Sequence, residues 1–190
     1  MLESLVAKRI KLVGLDVDGV MTDEGVYTGM GPDGPIELKR FNIHDTVGIK
    51  LLQAAGLDVV IVSGRFSEAT NIRAKELGIT EVVQETAAHK LPPFEAILAR
   101  RGFGWDEAAF MGDDLADIPI LKRVGLPVTV QNAVAEVRDY ATYITERRGG
   151  DGAIREFTEV LLQARGQWKE VVNGYLSERD TERRSAHGSE

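Results

Sequence analysis

The 190-residue chain contains no cysteine. Disulfide frameworks, thiolate zinc sites, iron–sulfur clusters and a cysteine nucleophile are thereby excluded. No apolar run approaches the roughly 20 residues that a membrane-spanning helix needs, and the stretch from Met1 to Lys11 lacks the apolar core of a signal peptide. A cytoplasmic protein without a membrane partner is expected. Proline is scarce, with 6 against 20 glycines and no triplet period, so a collagen-like or low-complexity chain is excluded. Positive charge is in deficit: 23 Lys and Arg against 30 Asp and Glu leave a net −7. No nucleic-acid partner is expected, because such proteins present a basic face to phosphates. With 43% apolar and 28% charged residues, what remains is an ordinary globular composition and enough chain for one domain.

Short apolar runs alternate with segments of helical period. Strands are expected at Ile10–Asp16, Asp58–Ser63, Glu81–Gln84, Ala108–Met111 and Leu126–Val130. Helices are expected at His44–Ala55, Ser67–Leu77, Pro92–Arg101, Leu115–Arg123 and Ala133–Tyr140. This alternation predicts an α/β fold, a doubly wound parallel sheet with helices on both faces. Ligands of such sheets gather at the carboxyl ends of the strands. Gly25–Phe41 breaks the alternation with a Pro-Asp-Gly turn between two extended pieces and reads as a projecting β-hairpin. A two-stranded hairpin is marginal alone and needs something to pack on, either the site or another subunit. A helix with an apolar stripe is expected from Asp151 to Ala164 and a short one from Trp168 to Leu176. Residues 1–176 thus form the domain. Ser177–Glu190 holds a single apolar residue, Ala186, and is expected to be a disordered tail.

The chemistry-bearing residues sit at strand ends. After the first strand stands Asp16-Val17-Asp18-Gly19-Val20-Met21-Thr22-Asp23. Extended geometry puts Asp16 and Asp18 on one side, roughly 6–7 Å apart at ~3.3 Å per residue. Two bare carboxylates 4 Å apart repel by about 4 kcal/mol at an effective dielectric near 20, a cost that a hard cation removes. A second acidic cluster, Gly112-Asp113-Asp114-Leu115-Ala116-Asp117, follows another strand, so the two converge on one pocket. Oxygen ligands without His or Cys favour Mg²⁺. Ser63-Gly64-Arg65 ends a third strand and offers a hydroxyl and amides to a phosphate. Lys90, just before Pro92 and Pro93, falls at the same pole. Each also has a bland reading. The aspartates could cap turns, either Asp114 or Asp117 could be a helix N-cap, Ser63-Gly64 could be a plain turn, and Lys90 could be solvated.

In order and placement these groups resemble the four motifs of the haloacid dehalogenase superfamily of phosphohydrolases. Asp16-x-Asp18-Gly-x-x-Thr22-Asp23 matches the first, Ser63 the second, Lys90 the third, and Gly112-Asp113-Asp114 with Asp117 the fourth. The hairpin, Phe41–Ile49, Ser63-Gly64-Arg65 followed by Arg73 and Glu76-Leu77-Gly78-Ile79, and Gly149–Glu156 narrow the resemblance to the capless subfamily of sugar-acid phosphatases typified by the 3-deoxy-D-manno-octulosonate 8-phosphate phosphatases. Three stretches depart from that pattern. Asp45-Thr46 stands where Asp-Gly is usual, His44 where a basic residue is usual, and Glu85–Pro93 is atypical.

The resemblance implies a Rossmann-like fold without a cap domain. It implies Mg²⁺ held by Asp16, the Asp18 carbonyl and Asp113, with Asp114 in support. Asp16 would be the nucleophile forming an aspartyl-phosphate, Asp18 the acid and base, and Ser63 and Lys90 the grips on the phosphoryl oxygens. His44, Asp45, Gly64, Arg65 and Arg73 would contact the substrate, a phosphorylated sugar acid. It further implies a homotetramer assembled through the hairpins. A nine-carbon 9-phosphate or a range of monoesters are alternative substrates. A phospho-accepting receiver or an inert interaction subunit are alternative functions.

Overall fold

The structure, a computed structural model, describes residues 2–186. In chain order the elements are α1 (Ser4–Arg9), β1 (Leu12–Leu15), β2 (Tyr27–Gly31), β3 (Gly34–Leu38), α2 (Ile43–Ala54), β4 (Asp58–Ser63), α3 (Glu68–Leu77), β5 (Val82–Gln84) and α4 (Leu91–Arg101). There follow β6 (Ala108–Gly112), α5 (Ile118–Leu121), β7 (Leu126–Thr129), α6 (Ala135–Arg138), β8 (Tyr143–Ile144), α7 (Ala153–Arg165) and α8 (Trp168–Ala186). Six strands form one sheet in the order β5-β4-β1-β6-β7-β8, every pair parallel. The expected doubly wound α/β fold is therefore present. β1 and β6 are buried along their whole length, as continuous apolar runs in a sheet covered on both sides must be. Helices α1 and α2 each pack on α7, and α4 packs with α5. No helix among the described residues is long and apolar enough to cross a membrane.

The sheet order places β1 between β4 and β6. The ends of these three strands, Asp16, Ser63 and Asp113, therefore lie side by side. The hairpin β2–β3 forms its own two-stranded sheet with Tyr27 opposite Leu38 and Gly31 opposite Gly34, and a Thr22–Phe41 bridge closes its root.

Some boundaries differ from expectation. The helix expected at Leu115–Arg123 is a 3₁₀ turn at Leu115–Asp117 followed by one short turn of α5, since Pro119 restricts its start and Gly125 follows closely. α1 and the two-residue β8 were not expected, because each is too short for its period to register. The expected tail is replaced as far as Ala186 by a continuation of α8. The Glu and Arg residues of that stretch have high intrinsic helix propensity. Residues 187–190, the rest of that expected tail, lie outside the described residues.

Candidate active site

After β1 the chain makes a tight turn through Val17–Met21 in which Gly19 adopts φ +86. A side chain there would collide with the carboxylate of Asp113, so glycine is required for the two acidic stretches to meet. Asp16, Asp113 and Asp117 present carboxylate oxygens within 4.8 Å of one another, all three buried. Lys90 faces them, its Nζ 2.8 Å from Asp16 Oδ1 and 2.8 Å from Asp117 Oδ1. Burial alone would pull the Lys90 ammonium down, but the two carboxylates carry it well above its ordinary value. Burial, then the charge of Asp117, raises the Asp16 carboxyl; burial, then Asp16 and Asp117, raises Asp113.

One ammonium thus serves three buried acids, and Asp113 Oδ1 has no hydrogen-bond partner. A divalent cation supplies the missing positive charge, and the all-oxygen donor set fits magnesium.

Asp16, Lys90 and Asp113 line a cavity of about 430 Å³ together with Asp18, Ser63, Gly64, Arg65 and Asp114, while Asp117 lies buried behind them. Asp18 turns away from the three-carboxylate cluster. Its Oδ1 accepts from Lys39 Nζ at 2.7 Å, and its Oδ2 lies 3.5 Å from Arg65 Nε. Ser63 Oγ donates to Arg65 O at 3.1 Å and accepts from Arg65 N at 3.3 Å, which folds the Ser63-Gly64-Arg65 turn over the cavity.

Eight of the expected site residues therefore converge: Asp16, Asp18, Ser63, Gly64, Arg65, Lys90, Asp113 and Asp114. Two of them also make contacts that pattern alone did not indicate. Asp114 is exposed, and its Oδ1 caps the 3₁₀ turn by accepting from Leu115 N at 2.7 Å, whereas Asp117 joins the cluster and accepts from Asp113 N and Asp114 N. Lys90 pairs with Asp16 and Asp117, so it fixes the Asp16 carboxylate as well as facing the cavity.

Three others lie elsewhere in the chain. His44 borders a separate cavity of about 290 Å³ with Arg147, Arg155, Glu156 and Glu159. Arg73 pairs with Glu76, bonds Thr46 Oγ1 and stacks over Phe41. Asp45 is a buried cap for the start of α7, accepting from Arg155 N at 2.8 Å and Gly152 N at 3.3 Å. Four residues that pattern alone did not single out are Glu37, Lys39, Glu24 and Asn132. Asn132 bridges the turn to the α7 approach, donating to Gly19 O and accepting from Gly149 N, and also bonds Glu24.

Burial pushes the Asp45 carboxyl up to about 6, against hydrogen bonds from Arg155, Gly152 and Ile154 that pull it down. Folding favours the protonated acid. Its contribution to stability is thus complete below about pH 4 and is lost as pH rises through 6. In Asp45→Asn that dependence should vanish. Relative to wild type, the variant should gain up to about 3 kcal/mol between pH 4 and 7, read by urea unfolding at each pH.

Residues 83–157 match the model of the haloacid dehalogenase-like hydrolases. The 3-deoxy-D-manno-octulosonate 8-phosphate phosphatase of Escherichia coli is 38% identical over 165 residues, 87% of this chain and 86% of that protein. The chain belongs to the haloacid dehalogenase-like hydrolases. As a member of that family it is an enzyme, a phosphoric monoester hydrolase, and the receiver and inert-subunit alternatives fall away. Two solved structures of hydrolases in this family share its shape. The phosphatase from Moraxella catarrhalis, crystallised with magnesium, phosphate and 3-deoxy-D-manno-octulosonate, superposes with a TM-score of 0.84 at 32% identity, covering 90% of this chain and 97% of that one. That from Yersinia pestis gives a TM-score of 0.81 at 38% identity, with 87% and 88% covered.

Proposed function

We propose that this hydrolase cleaves the phosphate monoester of a sugar acid, 3-deoxy-D-manno-octulosonate 8-phosphate, through an aspartyl-phosphate on Asp16. The observation that carries the chemistry is the convergence of Asp16, Asp113 and Asp117 on one buried point beside Lys90. The sugar acid is supported by the relatives named above and by the cationic Arg65 at the cavity.

Magnesium, held by Asp16, the Asp18 carbonyl and Asp113, supplies the positive charge that lets an anionic nucleophile approach an anionic phosphoryl group. Lys90 fixes Oδ1 of Asp16 and so sets the line of attack. Asp16 attacks phosphorus, and the bond to the sugar oxygen breaks as Asp18 gives that oxygen a proton. Asp18 then takes a proton from water, which attacks the same phosphorus and returns Asp16 with release of inorganic phosphate. Ser63 and the amides after it hold the phosphoryl oxygens. Asp117 orients Asp113 by accepting from its backbone amide. Of the four side chains expected on the sugar-acid body, His44, Asp45, Arg65 and Arg73, only Arg65 borders the cavity within this chain.

The reading includes a homotetramer. Tyr27, Ile36 and Leu38 share the outward face of the hairpin and are 58%, 47% and 61% exposed, an apolar patch that another copy would cover. The reading includes a cytoplasmic location, where a charged substrate made in that compartment would be retained because it cannot cross a bilayer unaided.

A panel of magnesium-dependent phosphate-release assays tests the proposal. Octulosonate 8-phosphate should exceed the nine-carbon 9-phosphates by at least about tenfold in kcat/KM, and hexose phosphates by more. Equal rates on all would show a generalist.

A further inference from the structure

The hairpin carries a charge pattern that the proposed reaction does not use. Glu37 and Lys39 are two residues apart and share the face turned to the cavity, while Ile36 and Leu38 take the opposite face. Lys39 closes on Asp18. Glu37 accepts from Arg65 Nη1 at 2.6 Å and from Ser67 Oγ at 2.6 Å, so one carboxylate ties the hairpin to the loop after β4. The other side of the guanidinium is unfinished. Arg65 Nε lies 3.5 Å from Asp18, and Nη2 is buried with no hydrogen-bond partner. A guanidinium is a rigid planar fork, so fixing one arm fixes the direction of the rest.

We propose that Glu37 is a specificity-determining positioning residue, holding Arg65 at the cavity so that its guanidinium receives the carboxylate of the sugar-acid substrate. The inference rests on the sugar-acid reading above. Its competitor is that Glu37 occupies the substrate carboxylate's own place, in which case removing its charge would tighten binding.

The experiment compares wild type with Glu37→Gln, as full chains with magnesium, on octulosonate 8-phosphate and on p-nitrophenyl phosphate, which has no carboxylate. The ratio of kcat/KM on the sugar acid to that on the nitrophenyl ester should fall about tenfold, through a raised KM rather than a lowered kcat. Glu37→Asp, with the charge on a shorter arm, should recover part of the ratio. Arg65→Lys should lower it as well, and the double variant should fall no further than the larger single loss. An unchanged or increased ratio in Glu37→Gln, or additive losses in the double variant, overturns the proposal. A wild-type enzyme with no preference for the sugar acid overturns the reading beneath it too. A wild-type preference that Glu37→Gln retains overturns the role of Glu37 alone.

Discussion

Asp16→Asn is expected to reduce magnesium-dependent phosphate release by at least about a thousandfold, because the amide cannot accept the phosphoryl group. The fold should survive, since the variant removes one of three buried carboxylates that share a single ammonium. Without metal its melting temperature should equal or exceed that of wild type, because repulsion with Asp113 and Asp117 is relieved. Added magnesium should then raise the melting temperature of wild type more than that of the variant, as an ion stabilises only the folded state that holds it. Near-normal turnover in Asp16→Asn would remove the nucleophile assignment. A collapse of stability would show that Asp16 has a structural duty that its burial conceals.

Gly149→Ala should be the most damaging substitution outside the acidic cluster. A methyl group at this position would fall on the backbone carbonyl of Gly19, and backbone cannot turn aside as a side chain can. The turn carrying Asp18 must shift instead. Activity should fall by roughly a hundredfold, since misplacement of about 1 Å at reacting groups costs that much, and stability by about 1–3 kcal/mol. Gly166→Ala is the control. Gly166 ends α7 at φ +76 with nothing within 4 Å of an added Cβ, so it should lose about 1–2 kcal/mol of stability and keep its activity. Assay of both variants beside their thermal melts separates displacement of the turn from backbone strain.

Much of this architecture is legible in the sequence because its causes are local. The buried strands β1, β4 and β6 are continuous apolar runs, each ending in the polar residues that make the site, Asp16, Ser63 and Asp113. The hairpin is legible from its turn. What escaped has non-local causes. Asp45 caps a helix more than a hundred residues away, and no spacing rule relates it to Gly152 and Arg155. Asp114 and Asp117 are two acids in one short turn, and which of them caps it and which joins the cluster depends on where Lys90 arrives from α4. Glu37 and Lys39 look like ordinary charges on an edge strand until β3 is laid over the cavity. Their alternation with Ile36 and Leu38 was the available sign, since it puts the apolar face outward on a hairpin whose polar face has something to meet.

The contacts of Gly149 and Gly150 bear on the order in which the enzyme is made. Gly150 N bonds Val20 O, and Asn132 links Gly19 to Gly149, so the loop bearing Asp16 and Asp18 is clasped by residues synthesised some 130 positions later. Such distant partners must wait for the loop between them to close. A ribosome-bound chain that has not yet extruded Gly150 holds all the acids of the centre but lacks the clasp around its first turn. Phosphatase activity should therefore switch on late in synthesis, and fragments ending before Gly149 should be inert even where their sheet has formed.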